Sequence, residues 1–343
     1  MPRLPAPAQN MTDLHGQPTD PYRIFFPLGI VMGVAGVSIW PLYYWNATDS
    51  YSGRAHGLVQ TDGFLYCFVA GFLLTAIPRF TGTEAPSRRV QYALAAVLVF
   101  SAAAFELQAF ASGNTAFVAA HFILITLAVR RFRRRQQDPP PTFVLVGAGL
   151  IGGALGAVIN AALSWGIIEP FWDLLGKRLL TEGMVMLLAL GVGGFLGPRL
   201  MGFAELPKFT NITIHAARRP FQPLFLIAGL AILFSLIAEY GFEIPAMAFL
   251  RAAVVTALIL GTVRPWRFPA APTTLARCVW VAYWLIVVAV WLIAFAPRYR
   301  VDFLHALFIG GFSLLILAVG TRVSPTEATA WQPSAPPGPC ELD

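Results

Sequence analysis

The chain has 343 residues, of which 57% are hydrophobic and 12% are charged, and its formal net charge is +7. The charged fraction is about half of that in ordinary globular proteins, so the composition excludes a disordered chain and an ordinary soluble domain. The basic residues lie between apolar segments, as the topology of a membrane protein requires, and we therefore expect no nucleic-acid partner.

Ten apolar segments follow one another along the chain. A hydrocarbon core of about 30 Å needs roughly 20 apolar residues per helix, and segments of this kind predict transmembrane helices. The sequence therefore predicts an all-α, polytopic helical bundle whose surroundings are a lipid bilayer. The ten predicted spans are 24–45, 55–78, 90–110, 114–130, 142–165, 181–203, 221–240, 246–263, 274–296 and 301–322.

Both ends of the chain differ in composition from the spans between them. Residues 1–22 and 325–343 are polar and rich in proline, which predicts disordered tails on either side of a transmembrane domain at 23–324. Of the 24 Lys and Arg residues, 18 lie in the tails or in connections on the same side of the predicted bundle. By the positive-inside rule, this multi-pass protein has both termini in the cytoplasm.

Three of the predicted helices end in similar ways, which suggests an internal repeat. Aligning Arg79, Arg199 and Arg322 gives spacings of 120 and 123 residues, or four helices each time. A repeat of this length predicts four-helix units around a pseudo-threefold axis. The alternative is that apolar helices often end in a small residue, a proline and an arginine by the positive-inside rule alone.

One histidine lies near the outer end of each of two spans, His56 in the second and His305 in the tenth. Imidazole is the commonest metal ligand among side chains, and histidine is costly inside a bilayer. Two histidines at equal depth on neighbouring helices suit the two axial positions of a haem b. Arg54, Arg298 and Arg300 are the candidate partners for the haem propionates at the outer face.

Other ionisable residues also gather toward the outer leaflet. His121 in the fourth span is a further candidate cofactor ligand, or else it hydrogen bonds a backbone carbonyl. Asp62 and Glu106 lie within spans, whereas Glu182 is expected in contact with water at the start of the sixth span. Such an acidic cluster would also suit the substrate pathway of a small-molecule or ion transporter.

Several sequence motifs that carry chemistry are absent from the chain. No HxH, HH or HExxH sequence occurs, so no crowded histidine site for copper or zinc is expected. The phosphate loop GxxxxGK[ST] and the nucleophile elbow GxSxG are absent too. No CxxCH sequence occurs, so any haem is non-covalent. Whether the protein is an enzyme remains open.

The two histidine segments resemble signatures of the NnrS family, bacterial membrane proteins linked to nitric oxide and nitrosative stress. The early signature begins with a histidine and continues with AGFLLTAxP and TG, which fall on His56, 70–78 and 81–82. The late signature falls on 305–310 and 321–324. Weaker matches to the same family are RIFFPLG at 23–29 and GGxxxP at 193–198.

This resemblance implies haem binding, and as a second cofactor copper, in the bacterial inner (cytoplasmic) membrane. It also implies a fold similar to subunit I of the haem-copper oxidases, with three four-helix arcs and axial histidines on the second and tenth helices. His56 and His305 would occupy those positions and act as the metal ligands. The family signature has a second histidine and a glutamate where this chain has Leu58 and Val59.

Three hypotheses for function follow. The first is a haem b protein of the NnrS type that acts in the response to nitric oxide or in denitrification-linked electron transfer, with nitric oxide as a ligand and a redox protein as partner. The second is a small-molecule or ion transporter, which would be colourless. The third is a membrane assembly factor that delivers haem or copper to another protein.

Overall fold

In the computed structural model, residues 20–203 and 222–322 are described, and these ranges contain ten long helices and no strand. The polytopic helical bundle predicted from the sequence is confirmed. The helices are α1 (Tyr22–Tyr44), α2 (Gly53–Thr81), α3 (Arg88–Glu106), α4 (Phe110–Arg133), α5 (Phe143–Ser164), α6 (Pro170–Leu200), α7 (Gln222–Gly241), α8 (Met247–Thr262), α9 (Thr274–Phe295) and α10, which begins at Pro297 and ends with the segment Leu314–Arg322.

Nine helices within the described ranges are long and apolar enough to cross a membrane. The exception is α8, which has 16 residues and is therefore about 24 Å long at 1.5 Å per residue. The prediction of ten spans thus holds for nine helices by length and composition. The tenth is a shorter apolar helix in the predicted position.

Glycines bring α1 against the part of α2 that carries His56. A Cβ atom at Gly33 would lie 2.8 Å from the Phe64 ring, and one at Gly36 would lie 2.8 Å from the Gln60 amide nitrogen. Such short distances show that only glycine allows the two helices to approach this closely. The Gln60 amide donates to the Gly33 carbonyl at 2.9 Å, which fixes the register between the helices.

Three of the ten helices share an unusual pattern of backbone hydrogen bonding. In α2, α6 and α10, a six-residue α-helical segment precedes a π-helical segment, after which the α-helix resumes. The segments in chain order are Gly53–Leu58, Val59–Leu65 and Tyr66–Thr81 in α2; Asp173–Arg178, Leu179–Met184 and Val185–Leu200 in α6; and Arg300–His305, Ala306–Ser313 and Leu314–Arg322 in α10.

These are the same three helices whose ends are alike in sequence, so the structure favours the internal repeat over a coincidence of helix ends. The packing repeats as well, because α1, α5 and α9 each pack along the π segment of the helix that follows. The three π-bearing helices converge on an apolar cavity of about 60 Å³, to which they contribute Phe72, Leu188 and Leu315. This convergence is what three units around a central axis would produce.

The structure corrects the start of one predicted helix and does not test the predicted tails. The sixth span was expected to begin at residue 181, but α6 begins at Pro170. Glu182 is therefore inside the helix, and at 2% exposure it is buried, so its prediction as a residue in contact with water was wrong. The predicted tails lie almost wholly outside the described residues, which omit 1–19 and 323–343.

Candidate functional site

The structure brings His56 and His305 together from opposite ends of the chain. Their ring centroids are 6.5 Å apart, and the two ring planes differ by only 11°. Each histidine lies in the short helical segment that precedes a π segment, on α2 and α10 respectively. The two residues that the sequence predicts as a pair are therefore close together in the fold.

Backbone carbonyls orient both imidazole rings. His56 Nδ1 lies 2.8 Å from the Gly36 carbonyl oxygen, and His305 Nδ1 lies 2.8 Å from that of Val301. A carbonyl oxygen only accepts hydrogen bonds, so each Nδ1 carries the proton and each Nε2 has a free lone pair. Neither Nε2 has a protein partner among the described residues. Metal-binding histidines are oriented in this manner.

The separation of the two rings suits a metal ion between them. Two imidazoles that bind one ion from opposite sides, with bonds of about 2 Å, have ring centres roughly 6 Å apart. The surface next to His56 is open as well, because a Cβ built at Gly57 would meet no atom within 4 Å apart from its chain neighbours and its own helix backbone. The residues present therefore fit a flat metal-containing group held between α2 and α10.

The donor set also indicates what kind of metal group would fit. No cluster of three or more His, Cys, Asp or Glu side chains that could hold a metal ion occurs within residues 20–203 and 222–322. Two histidines alone leave the other coordination positions to be filled by the ligand itself. A macrocycle such as haem brings its own four nitrogens, so two protein ligands are sufficient for it.

Two of the three predicted arginines remain available for an acidic group beside the pair. The Arg54 guanidinium lies over the Phe110 ring at 4.5 Å, and that of Arg298 lies over the Tyr299 ring at 5.1 Å. Both side chains are exposed, and neither forms an ion pair with a described carboxylate. Neither guanidinium is therefore engaged by a carboxylate of the described chain, unlike that of Arg300.

Arg300 is in a different situation, because it belongs to a buried charge network. Its guanidinium donates to Glu182 Oε2 at 2.8 Å and to Glu239 Oε1 at 2.9 Å. Arg251 approaches the same two carboxylates, at 3.5 Å and 2.6 Å, and Arg178 lies 3.5 Å from Glu182. These contacts satisfy Arg300 within the protein and do not favour its predicted role at a propionate.

The charge network joins four helices, α6, α7, α8 and α10, beside the histidine pair. Three arginines and two glutamates give it a net charge of +1, and Glu182, Arg251 and Arg300 are at most 8% exposed. Sequence reasoning did not assign a role to Glu239 or Arg251. The available signal was the presence of charged side chains within apolar spans, which is costly unless they are paired.

His121 is fully buried and has partners on both ring nitrogens. The Tyr66 hydroxyl lies 2.9 Å from Nδ1, and the Leu150 carbonyl oxygen accepts from Nε2 at 2.9 Å. The tyrosine hydroxyl is therefore the donor to Nδ1, and no lone pair of the ring remains for a metal. This arrangement joins α2, α4 and α5, and it favours the structural alternative for His121 over the predicted ligand role.

The remaining predicted polar residues are dispersed. Asp62 is buried in the π segment of α2, whereas Glu106 is an exposed residue at the end of α3 that interacts electrostatically with His56. Cys67 and Cys278 are both free thiols.

Comparison with known proteins identifies the chain by family. The family model described as "NnrS protein" matches residues 19–328, which include every described helix. No curated protein and no solved structure matches the chain significantly. The matched range includes both histidine segments. The protein belongs to the NnrS family.

Proposed function

We propose that this protein binds haem b between His56 and His305 and acts in the response to nitric oxide or in denitrification-linked electron transfer. The observation that carries the proposal is the geometry of the pair. The two imidazoles are nearly parallel at 6.5 Å, each Nδ1 is held by a carbonyl, and each Nε2 lacks a protein partner in the described chain. Membership of the NnrS family supports the link to nitric oxide.

Each element around the pair has a distinct role in this proposal. The Gly36 and Val301 carbonyls hold the ring tautomer, which leaves both Nε2 atoms available as ligands. Arg54 and Arg298 bind the propionates at the outer face. The charge network holds the start of α10 against α6, α7 and α8, which fixes the position of His305. The haem iron supplies one-electron redox chemistry.

Two histidine ligands would favour electron transfer over direct binding of a gas. With His56 and His305 both holding the haem, the protein would leave no free position for nitric oxide. His305 is the more exposed of the two and would be the more easily displaced. The electron donor would be a separate redox protein, and the site of action the bacterial inner membrane.

The proposal does not extend to copper. Copper would need its own set of nitrogen or sulfur ligands. The positions at which the family signature has a second histidine and a glutamate are Leu58 and Val59, and both are buried apolar side chains in this fold.

Optical spectra of the purified protein test the proposal. We expect reduced bands of a six-coordinate haem b, with a slow or partial change when nitric oxide is added. A five-coordinate spectrum that changes at once with nitric oxide would support haem binding but overturn the two-histidine assignment. A protein that stays colourless after haem is supplied would overturn the proposal in favour of a transporter. Haem that is lost on washing but recovered with a co-purified protein would favour an assembly factor.

Histidine variants locate the haem within the protein. His56→Ala and His305→Ala should each lose haem while the protein still inserts into the membrane. The matched control is His121→Gln, which replaces a buried histidine whose nitrogens are both engaged, and it should keep the haem. Loss of haem in His121→Gln with full haem in His305→Ala would contradict the assignment.

A further inference from the structure

The repeat places two acidic residues at equivalent positions. Thr61-Asp62-Gly63 in α2 and Thr181-Glu182-Gly183 in α6 are 120 residues apart, and each acid is the fourth residue of its π segment. The preceding threonines behave alike too, because each hydroxyl donates at 2.9 Å to the carbonyl four residues earlier. Asp62 and Glu182 are therefore two copies of one structural position, and both are almost fully buried.

Their electrostatic surroundings are opposite. Glu182 has three arginines within 3.5 Å, which balance its charge. Asp62 Oδ1 has one polar contact, with the Thr61 hydroxyl at 3.1 Å, and the single proton of that hydroxyl is shared with the Gly57 carbonyl. Asp62 Oδ2 is buried without a partner. No Lys or Arg of the described ranges pairs with Asp62. A buried carboxylate without a counter-charge is strongly destabilising unless it takes up a proton.

The helices packed around Asp62 offer no cation in its place. On α2 itself, Tyr66 interacts electrostatically with Asp62, and Cys67 is the next ionisable group. On α1, the side chain near this segment is Met32, and no ionisable residue lies between Arg23 and Tyr43.

The other neighbouring elements do not supply a cation beside Asp62 either. On α3, the ionisable residue that interacts with His56 is Glu106, which is an acid. On α4, the ring of His121 is hydrogen bonded to Tyr66. The positive group of closest approach along α2 would be a metal held at His56. That position is six residues away, or about 9 Å along a helix.

We propose that Asp62 is a proton-binding site whose proton is exchanged when the charge between His56 and His305 changes. This inference rests on the proposed haem site. When an external one-electron donor reduces the iron, the Asp62 carboxylate takes up one proton from water and becomes a carboxylic acid, so the net local charge is unchanged. Oxidation returns the electron to an acceptor and the proton to water. The positive charge of the oxidised metal group would thus balance Asp62, as the arginines balance Glu182.

Infrared difference spectroscopy tests the proton directly, with or without bound haem. At neutral pH the reduced or haem-free protein should show the C=O stretch of a buried carboxylic acid. The band should disappear in Asp62→Asn, move in Asp62→Glu, and persist in Asp302→Asn, which removes an exposed carboxylate of α10. If Asp62→Asn does not fold, the shift of the band in Asp62→Glu still tests the proposal. Absence of the band, or a band unaffected by both Asp62 variants, would overturn the proposal.

A redox titration tests the coupling. The midpoint potential of the loaded protein should fall with pH by up to about 59 mV per pH unit, the value for one proton per electron. Asp62→Asn should flatten this slope, while Asp302→Asn should keep it. An unchanged slope in Asp62→Asn, with a normal haem spectrum, would overturn the coupling alone. A colourless protein would instead refute the proposed function and the coupling together, while the infrared test would still decide whether Asp62 carries a proton.

Discussion

At the scale of single residues, the charge network beside the histidine pair differs in kind from an ion pair on the surface. Its members are shielded from water, so removing one arginine leaves carboxylates buried without a full set of donors. Arg300→Met should therefore destabilise the protein by about 3–5 kcal/mol, since that is the usual cost of breaking a buried pair. Reversible unfolding in mixed micelles, followed by circular dichroism, would measure the free energy of unfolding of each variant.

An arginine in an exposed ion pair is the control for this measurement. Arg135 pairs with Asp138 at 2.9 Å, and both side chains are more than a third exposed. Arg135→Met should change the free energy of unfolding by about 0–1 kcal/mol. Arg300→Lys should recover part of the loss, because lysine keeps the charge but cannot form the paired hydrogen bonds of arginine. Equal losses in Arg300→Met and Arg135→Met would show that the network does not hold α10.

The sequence predicted the histidine pair better than it predicted the network. His56 and His305 could be paired because flanking charges give their depth in the bilayer, and depth follows from the chain alone. The contacts of Glu182 with Arg300, and of Glu239 with Arg251, depend on which helices are neighbours. That information is tertiary, so the sequence could show only that costly charges were present.

At the scale of helices, the π segments decide where neighbouring residues point. Arg300 and His305 are five residues apart, so an α-helix separates their directions by about 140°. This difference lets one short segment of α10 hold Arg300 in the charge network and present His305 to His56. All three segments of α10 pack against α9, the π segment most extensively. Such π segments are frequent at functional sites.

Deleting Ile309 from the π segment of α10 should break both contacts. With one residue fewer, the segment can become an ordinary α-helix, and the part from Arg300 to His305 rotates by about 100° relative to Leu314–Arg322. We expect haem to be lost and the free energy of unfolding to fall at least as far as in Arg300→Met. Ile309→Leu, at the same exposed position without a change of length, should keep both properties. Retention of haem in the deletion variant would show that the π segment does not set the direction of His305.

The position of the helices was largely predictable, but their internal irregularities were not. The sixth span was placed 11 residues too late because Lys177 and Arg178 interrupt the apolar run. In the structure, Lys177 pairs with Asp173 and Arg178 faces Glu182, which makes these charges compatible with a helix. The π segments leave no trace in hydrophobic spacing, although the Thr-acid-Gly sequence shared by the π segments of α2 and α6 was a signal for those two.

At the scale of the whole molecule, the three units carry the same framework with different polar contents. The unit α1–α4 contributes His56 and the unpaired Asp62. The unit α5–α8 contributes both carboxylates of the network and two of its three arginines, and α9–α10 contributes His305 and the third arginine, Arg300. The third unit thus supplies His305 to the histidine pair with the first unit and Arg300 to the charge network with the second. This division explains how a repeated fold can hold one asymmetric site at its outer end.

The short helix α8 tests the topology of the whole protein. If α8 crosses the membrane, ten crossings place both termini on the same side, as the distribution of basic residues predicts. If it does not cross, the termini lie on opposite sides. At about 24 Å it is shorter than the hydrocarbon core of about 30 Å, so local thinning of the bilayer would accompany the crossing.

Labelling of single cysteines with a membrane-impermeant maleimide would decide between these arrangements. In a protein with the three native cysteines replaced, Phe242→Cys before α8 should react in intact cells, whereas Ala270→Cys after α8 should react only after permeabilisation. Ser50→Cys and Gln137→Cys, at opposite ends of helices long enough to span, serve as outer and inner references. Labelling of both Phe242→Cys and Ala270→Cys from outside would show that α8 lies at the outer surface. The cytoplasmic assignment of the two termini could not then hold for both, because only nine helices would cross.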